Sequence, residues 1–178
     1  MEDIEQTQEE IEYEIFSKNK KLVTIMQNMC EEFEFEVVMY YGLIIDEDTG
    51  HEYLSAKNQP YVCANDDEEL KKFWIASQEI RVEKGKTQAG RVWSKLKYEW
   101  QKDVTILSSD YFSRKYLADE CGLKTCLCVP YMIDDVFTGI VEFYSTEGWF
   151  EIPEIVEKVV GYTNTSETIK LDDRFFRV

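Results

Sequence analysis

Between Ile4 and Phe33 apolar residues recur at three-, four- and seven-residue steps: Ile4, Ile11, Ile15, Leu22, Ile25, Met29 and Phe33. That spacing keeps them on or near one face of a long helix, and no Pro or Gly interrupts it. Two uses of the stripe are open at this point. It packs on the domain's own sheet, or part of it pairs with another subunit. From Phe35 the pattern changes. Val37, Val38, Tyr40, Tyr41, Leu43, Ile44 and Ile45 favour a strand, Asp46 to Gly50 is a turn cluster, and His51 to Lys57 returns as a second strand. The Asp-Thr-Gly centre predicts a hairpin, which Pro60 ends.

Asp66 to Ile80 predicts a helix that opens with acids and carries Leu70, Phe73, Trp74 and Ile80. After a loop at Gly85 to Gln88, Ala89 to Leu96 predicts a short helix, weakened by Gly90. Trp100 to Leu107 reads as a short strand. Ser108 and Ser109 then cap a helix from Asp110 to Cys121, which Gly122 closes. Lys124 to Met132 and Val136 to Tyr144 are strands joined by a tight turn at Asp134-Asp135. Pro153 sits in the first turn of a last helix that runs to about Leu171. The order predicts an α+β fold: a central antiparallel sheet of about five to six strands with flanking helices, the first and last helices on its outer side.

Composition narrows the classes. With 178 residues the chain is long enough for one domain with a real core, and 44% hydrophobic and 14% aromatic residues supply it. The formal net charge of −16 repels phosphate backbones and anionic membranes, so neither nucleic acid nor membrane is an expected partner. No run of about 18 apolar residues is present. Met1 to Glu14 carries seven acids and no Lys or Arg, unlike an export or organelle signal, so a cytoplasmic location is expected. The five cysteines, Cys30, Cys63, Cys121, Cys126 and Cys128, are expected as thiols rather than a disulfide framework.

The stretch from Lys84 to Ser145 carries a resemblance. Gly85-Lys86-Thr87-Gln88-Ala89-Gly90-Arg91-Val92-Trp93 resembles the glycine-led turn and short helix before a Trp that GAF domains contain. Trp100-Gln101-Lys102-Asp103-Val104 resembles the strand that follows. Ala118 with Cys121-Gly122-Leu123-Lys124-Thr125 resembles the helix exit, Cys128-Val129-Pro130-Tyr131 the strand ending in Val-Pro, and Thr138-Gly139-Ile140-Val141-Glu142-Phe143-Tyr144 the last strand. The resemblance covers roughly Phe35 to Tyr144, most specifically Gly85 to Tyr144. It implies residues 1–34 as a dimerisation or signalling helix, 35–146 as a GAF core, and 147–178 as a C-terminal helix and tail.

The family's cleft lies between one sheet face and the helices around the Trp-led strand. Carried over, its walls are Tyr40, Trp93, Trp100, Tyr111, Cys121, Thr125 and Phe143. The helix expected from Ser109 offers free N–H groups to an anion, with Arg91, Arg114 and Lys124 as counter-charges. The alternative is a cleft filled by the same aromatics.

The ligand is not named by these residues, and no cofactor is assigned. The pattern of cyclic-nucleotide binders is broken: Asp119-Glu120 is present, but Phe112 is at the wrong offset and Asn19-Lys20 lies in the first helix. Bilin-bearing relatives follow the attachment Cys with a His, whereas Cys121 precedes Gly122. The sole histidine, His51, lies on the first hairpin, so neither covalent bilin nor haem is expected. Cys126 and Cys128 point to one face of a strand about 6.6 Å apart along the chain, the wrong spacing for zinc and poor for a disulfide. No metal is expected. Three functions follow: a small-molecule-sensing or regulatory domain of a signalling protein, working as a homodimer through its outer helices; a ligand-free dimerisation or interaction module; or a thiol enzyme reducing free methionine sulfoxide. With one histidine remote from every Ser and Cys candidate, the expected answer on catalysis is that the chain is not an enzyme.

Overall fold

The computed structural model describes residues 6, 7, 9–11, 13 and 19–165. Of the long first helix, α1 spans Lys20–Phe33. Ahead of it, Thr7 and Glu10 form a reciprocal capping box: Glu10 N–H donates to Thr7 Oγ1 (3.2 Å) and Thr7 N–H to Glu10 Oε2 (2.9 Å). Ile11 of the expected stripe is partly buried and donates its N–H to Thr7 O (3.1 Å), while Ile4 and Ile15 lie outside the described residues.

The strands are β1 (Val37–Ile45), β2 (Glu52–Ser55), β3 (Tyr61–Cys63), β4 (Arg81–Val82), β5 (Glu99–Gln101), β6 (Thr125–Ile133), β7 (Val136–Ser145) and β8 (Asn164–Thr165). The other helices are α2 (Glu68–Ser77), α3 (Thr87–Lys95), α4 (Lys115–Glu120) and α5 (Pro153–Thr163). One sheet runs in the order β4-β2-β1-β7-β6-β5. β3 takes the stretch of β1 that β2 leaves free, and β8 pairs parallel to Met132 and Ile133 of β6. All other pairings are antiparallel. The architecture is the α+β sheet-and-helix plan read from the sequence, with eight strands among the described residues once the two- and three-residue pieces are included.

Two hydrophobic cores lie on opposite faces of this sheet, sorted by strand alternation. Val37, Met39 and Tyr41 of β1, Cys126 and Cys128 of β6, and Ile140 and Tyr144 of β7 face α2, α3 and α4, here called the first face. Val38 and Tyr40, Leu127, Val129 and Tyr131, and Val141 and Phe143 face α1 and α5, the second face. Leu22, Ile25, Met26, Met29 and Cys30 of α1 are buried there, at the helical spacing of its apolar stripe. Within Lys20–Phe33 the stripe therefore packs on the chain's own sheet, while Lys20, Thr24, Gln27, Asn28 and Glu31 are exposed.

Turn chemistry fixes the central strands. Asp134 and Asp135 both adopt positive φ, 49° and 62°, as a two-residue hairpin turn requires, and hold β6 and β7 in register. Gly139 lies so close to β1 that an added Cβ would stand 2.2 Å from Tyr41 O and 2.5 Å from the Tyr40 hydroxyl. Pro130 lies on β6 between the stretch paired with β5 and the stretch paired with β8, where its missing N–H costs no bond on that edge.

Three expected elements are different. The strand expected over Trp100 to Leu107 ends at Gln101, because Asp103 accepts a hydrogen bond from Thr105 N–H (2.9 Å) and opens a 3₁₀ turn at Val104–Ile106. The helix expected over Asp110 to Cys121 is confined to Lys115–Glu120. Phe112 and Arg114 both point inward, and residues two apart cannot share a helix face. The last helix, expected to continue to Leu171, ends at Thr163, where the chain turns extended to form β8 and Asp134 N–H donates to Thr165 O (2.8 Å). Residues 166–171 lie outside the described residues.

Candidate functional site

Alternation along β7 places Glu142 on the first face, between Ile140 and Tyr144, fully buried. A lone carboxylate in that position would be strongly destabilising. Its partner is Arg114, whose Nη2 donates to both carboxylate oxygens at 2.6 and 2.9 Å. Tyr144, two residues along the same strand face, donates its hydroxyl to Glu142 Oε2 at 2.5 Å. The other guanidinium nitrogen, Nη1, donates to Ser77 Oγ at 3.2 Å and lies 3.7 Å from the Met39 sulfur. Ser77 in turn donates to Phe73 O at 2.7 Å.

Rings complete the enclosure. The Arg114 guanidinium carbon lies 5.2 Å from the centroid of Phe73, 5.3 Å from those of Tyr41 and Phe112, and 5.9 Å from that of Tyr144. All four distances fall within cation–π range. The Arg114 side chain is 6% exposed and that of Glu142 is 0% exposed, so this is a desolvated ion pair. Burial opposes the charge on Arg114, but the Glu142 carboxylate and the neighbouring phenols outweigh it and hold the pKa well above the ordinary arginine value. Burial pushes the Tyr41 and Tyr144 phenols up, with Arg114 pulling the other way.

Arg114 is delivered by a loop. Ser108, Ser109, Asp110, Tyr111 and Ser113 are exposed, whereas Phe112 and Arg114 are inserted into the core. A clasp holds this loop from outside. Arg91 on α3 donates through Nε and Nη2 to Glu99 of β5 at 2.9 and 3.0 Å. Its Nη1 donates to Tyr111 O at 3.0 Å, and its guanidinium lies 3.6 Å from the Tyr111 ring centroid.

The seven residues expected to wall one cleft are divided by the sheet. Trp93 and Cys121 belong to the first face, and Tyr111 stands at its rim, 40% exposed. Tyr40, Trp100 and Phe143 belong to the second face. Tyr40 donates its hydroxyl to Thr138 O (2.9 Å), and Trp100 its indole N–H to Trp149 O (2.9 Å). Thr125 is buried as a loop anchor: its Oγ1 lies 2.8 Å from Lys102 O and 2.7 Å from Glu147 O, and accepts from Trp149 N–H at 2.7 Å. On β1 and β7 the residues that reach the enclosed site are one position away from those expected: Tyr41 rather than Tyr40, Glu142 and Tyr144 rather than Phe143.

The expected anion contacts are used otherwise. Arg91 and Arg114 each have an internal carboxylate partner. No helix begins at Ser109, which is exposed, as is Lys124. Glu142, the residue around which the site is built, entered the sequence reading only as part of a strand motif. The signal was a single carboxylate inside the apolar run Ile140 to Tyr144.

The thiols offer little nucleophilic chemistry. Cys126 and Cys128 are fully buried on the first face, and burial, followed by the charge of Glu142, raises both pKa values well above the usual thiol range. Burial likewise raises that of Cys121. Among the described residues no three His, Cys, Asp or Glu side chains are grouped to hold a metal ion, and no helix is long and apolar enough to cross a membrane.

Neither the protein-family models nor the curated proteins gave a sequence match to this chain. Solved structures gave many. A Staphylococcus aureus NreA protein, mutated in its nitrate-binding site, superposes with a TM-score of 0.60 at 14% identity, over 82% of this chain and 98% of that one. The blue-light-absorbing form of the Thermosynechococcus elongatus PixJ GAF domain superposes with a TM-score of 0.55 at 11% identity, over 83% and 82%. The GAF domain of an Acinetobacter phosphoenolpyruvate-protein phosphotransferase does so with a TM-score of 0.53 at 10% identity, over 92% and 90%. On these superpositions the chain has the GAF fold.

Proposed function

We propose that the chain is a sensory or regulatory GAF domain, not an enzyme, whose switching element is the buried Arg114–Glu142 pair. That pair is the observation that carries the reading. A desolvated ion pair is a poor way to stabilise a core, since apolar side chains of similar volume serve as well or better. A desolvated charge pair, with Arg114 held well above the ordinary arginine value, is instead a mark of a functional site. Two of the structural neighbours are described by a ligand site or by light absorption: NreA by a nitrate-binding site and PixJ by its blue-light-absorbing form. An input that weakens the pair would release the loop carrying Phe112 and Arg114. Val141 and Phe143, which flank Glu142 on β7, pack on the opposite face with α1 and α5, so a shift at Glu142 bears directly on the outer helices. A homodimer through those helices would use residues ahead of Lys20 and the outer side of α5, where Val160 and Tyr162 are exposed.

The filled interior favours a second reading, a ligand-free interaction module. Met39, Tyr41, Phe73, Phe112 and Tyr144 are each at most 1% exposed around Arg114. A thermal-shift screen of small metabolites, with native mass spectrometry of the freshly purified chain, separates the two. The sensory reading expects a ligand that raises the melting temperature of the wild-type chain and loses its effect in Glu142→Gln. A bare mass with no hit in the screen favours the module.

A further inference from the structure

We infer that the enclosure around Arg114 is a site for an organic cation of the guanidinium or alkylammonium class, with Arg114 as its tethered internal occupant. The inference rests on the sensory reading and gives its ligand a chemistry. The walls of the enclosure come from the sheet and a helix packed on it: Tyr41 from β1, Glu142 and Tyr144 from β7, Phe73 from α2. Arg114 and Phe112 come from the loop, whose other residues between Ser108 and Ser113 are exposed. The loop is therefore the part that can withdraw.

Charge decides what could take its place. Glu142 is fully buried and already accepts from the Tyr144 hydroxyl. A neutral ligand replacing Arg114 would leave that carboxylate without a counter-charge, and an anion would add a second negative charge beside it; both are strongly unfavourable at this burial. A cation restores the pair. The rings that stay behind select for the same class, because the faces of Tyr41, Phe73 and Tyr144 present negative quadrupole density to whatever occupies the centre. The two carboxylate oxygens of Glu142 both accept from one guanidinium nitrogen, a contact that either a guanidinium or an alkylammonium nitrogen can supply. Arg114 competes as a tethered group at an effective concentration of the order of millimolar or above, so a free cation binds the wild-type chain more weakly than a chain lacking that side chain.

The test uses methylguanidinium, with urea as neutral isostere and sodium chloride as salt control, all at millimolar concentrations. Arg114→Ala is expected to melt several degrees higher with methylguanidinium than with either control, saturably. Adding Glu142→Gln to that variant is expected to abolish the effect. The wild-type chain is expected to bind methylguanidinium measurably, at least tenfold more weakly than Arg114→Ala. A folded Arg114→Ala that shows no selective rise overturns the proposal; if the wild-type chain still has a non-cationic hit in the metabolite screen, sensing stands and only the cation class falls. Rescue of Arg114→Ala without any binding to the wild-type chain also overturns it, since Arg114 is then a permanent structural occupant. Should Arg114→Ala not fold alone, refolding replaces melting: soluble folded protein is expected only with methylguanidinium, and equal failure with and without it counts against the site.

Discussion

Arg114 and Glu142, 28 positions apart in sequence, meet as a two-bond ion pair with almost no solvent contact. Loss of one member leaves the other charged and buried. Glu142→Ala is therefore expected to destabilise the fold by about 3–5 kcal/mol in urea titrations, whereas the double variant Arg114→Met/Glu142→Leu recovers most of that loss. A double variant no more stable than Glu142→Ala would show that the charges themselves hold the face together.

The clasp of Arg91 on Tyr111 predicts a local effect. Its ion pair with Glu99 is mostly shielded, 15% and 18% exposed, so Arg91→Ala is expected to cost about 1–2 kcal/mol. The more specific outcome is faster chymotrypsin cleavage after Tyr111 under native conditions. Unchanged cleavage would mean that the loop is held by Phe112 and Arg114 alone.

Two glycines give opposite results with the same substitution. Gly139→Ala places a Cβ against Tyr41 O and the Tyr40 hydroxyl, so a loss of about 1–3 kcal/mol or more is expected. Gly161 lies inside α5 with nothing within 4 Å of an added Cβ, and Gly161→Ala is expected to gain up to about 1 kcal/mol. Thermal melts of the two variants beside the wild-type chain check both signs.

The thiols and phenols predict a pH dependence. Burial raises the Cys30 thiol to about 12 and, chiefly, the Tyr40 phenol to about 12. Folding favours their neutral forms. That contribution is complete below the unfolded thiol value near pH 9 and is lost as pH rises through about 12. The urea midpoint is expected to be lower at pH 10.5 than at pH 8. In the folded chain at pH 8, half-buried Cys63 should react first with a disulfide reagent, and Cys126 and Cys128 only on unfolding. Early labelling of Cys126 would contradict the burial described.

Much of this fold was legible because its signals are local. The hairpin from Phe35 to Lys57, the Asp134-Asp135 turn and the left-handed Gly122 (φ 73°) each follow from residues a few positions apart. β3, β4 and β8 were not, since two or three residues cannot show an alternation, and β8 exists through its pairing with a strand some 30 residues earlier. On β1 and β7 the residues facing the Arg114 enclosure stand one position from the expected cleft residues for a related reason. Val37 to Gly42 of β1 is buried on both faces, so its continuous apolar run carries no phase, and Tyr40 and Tyr41 look equivalent. Glu142 was the phase mark, but a carboxylate in an apolar strand ordinarily indicates the solvent side. Here it points inward because Arg114 comes to meet it. Arg114 was recognised as a counter-charge, and only the tertiary contact shows that its partner belongs to the chain itself.

The claim that Arg114 latches its loop to the sheet is tested most directly by amide hydrogen exchange over residues 107–120 in the wild-type chain and in Arg114→Met. Faster exchange across that segment in the variant, with β1, β6 and β7 still protected, is the predicted result. Equal protection of the segment in both chains would contradict the account.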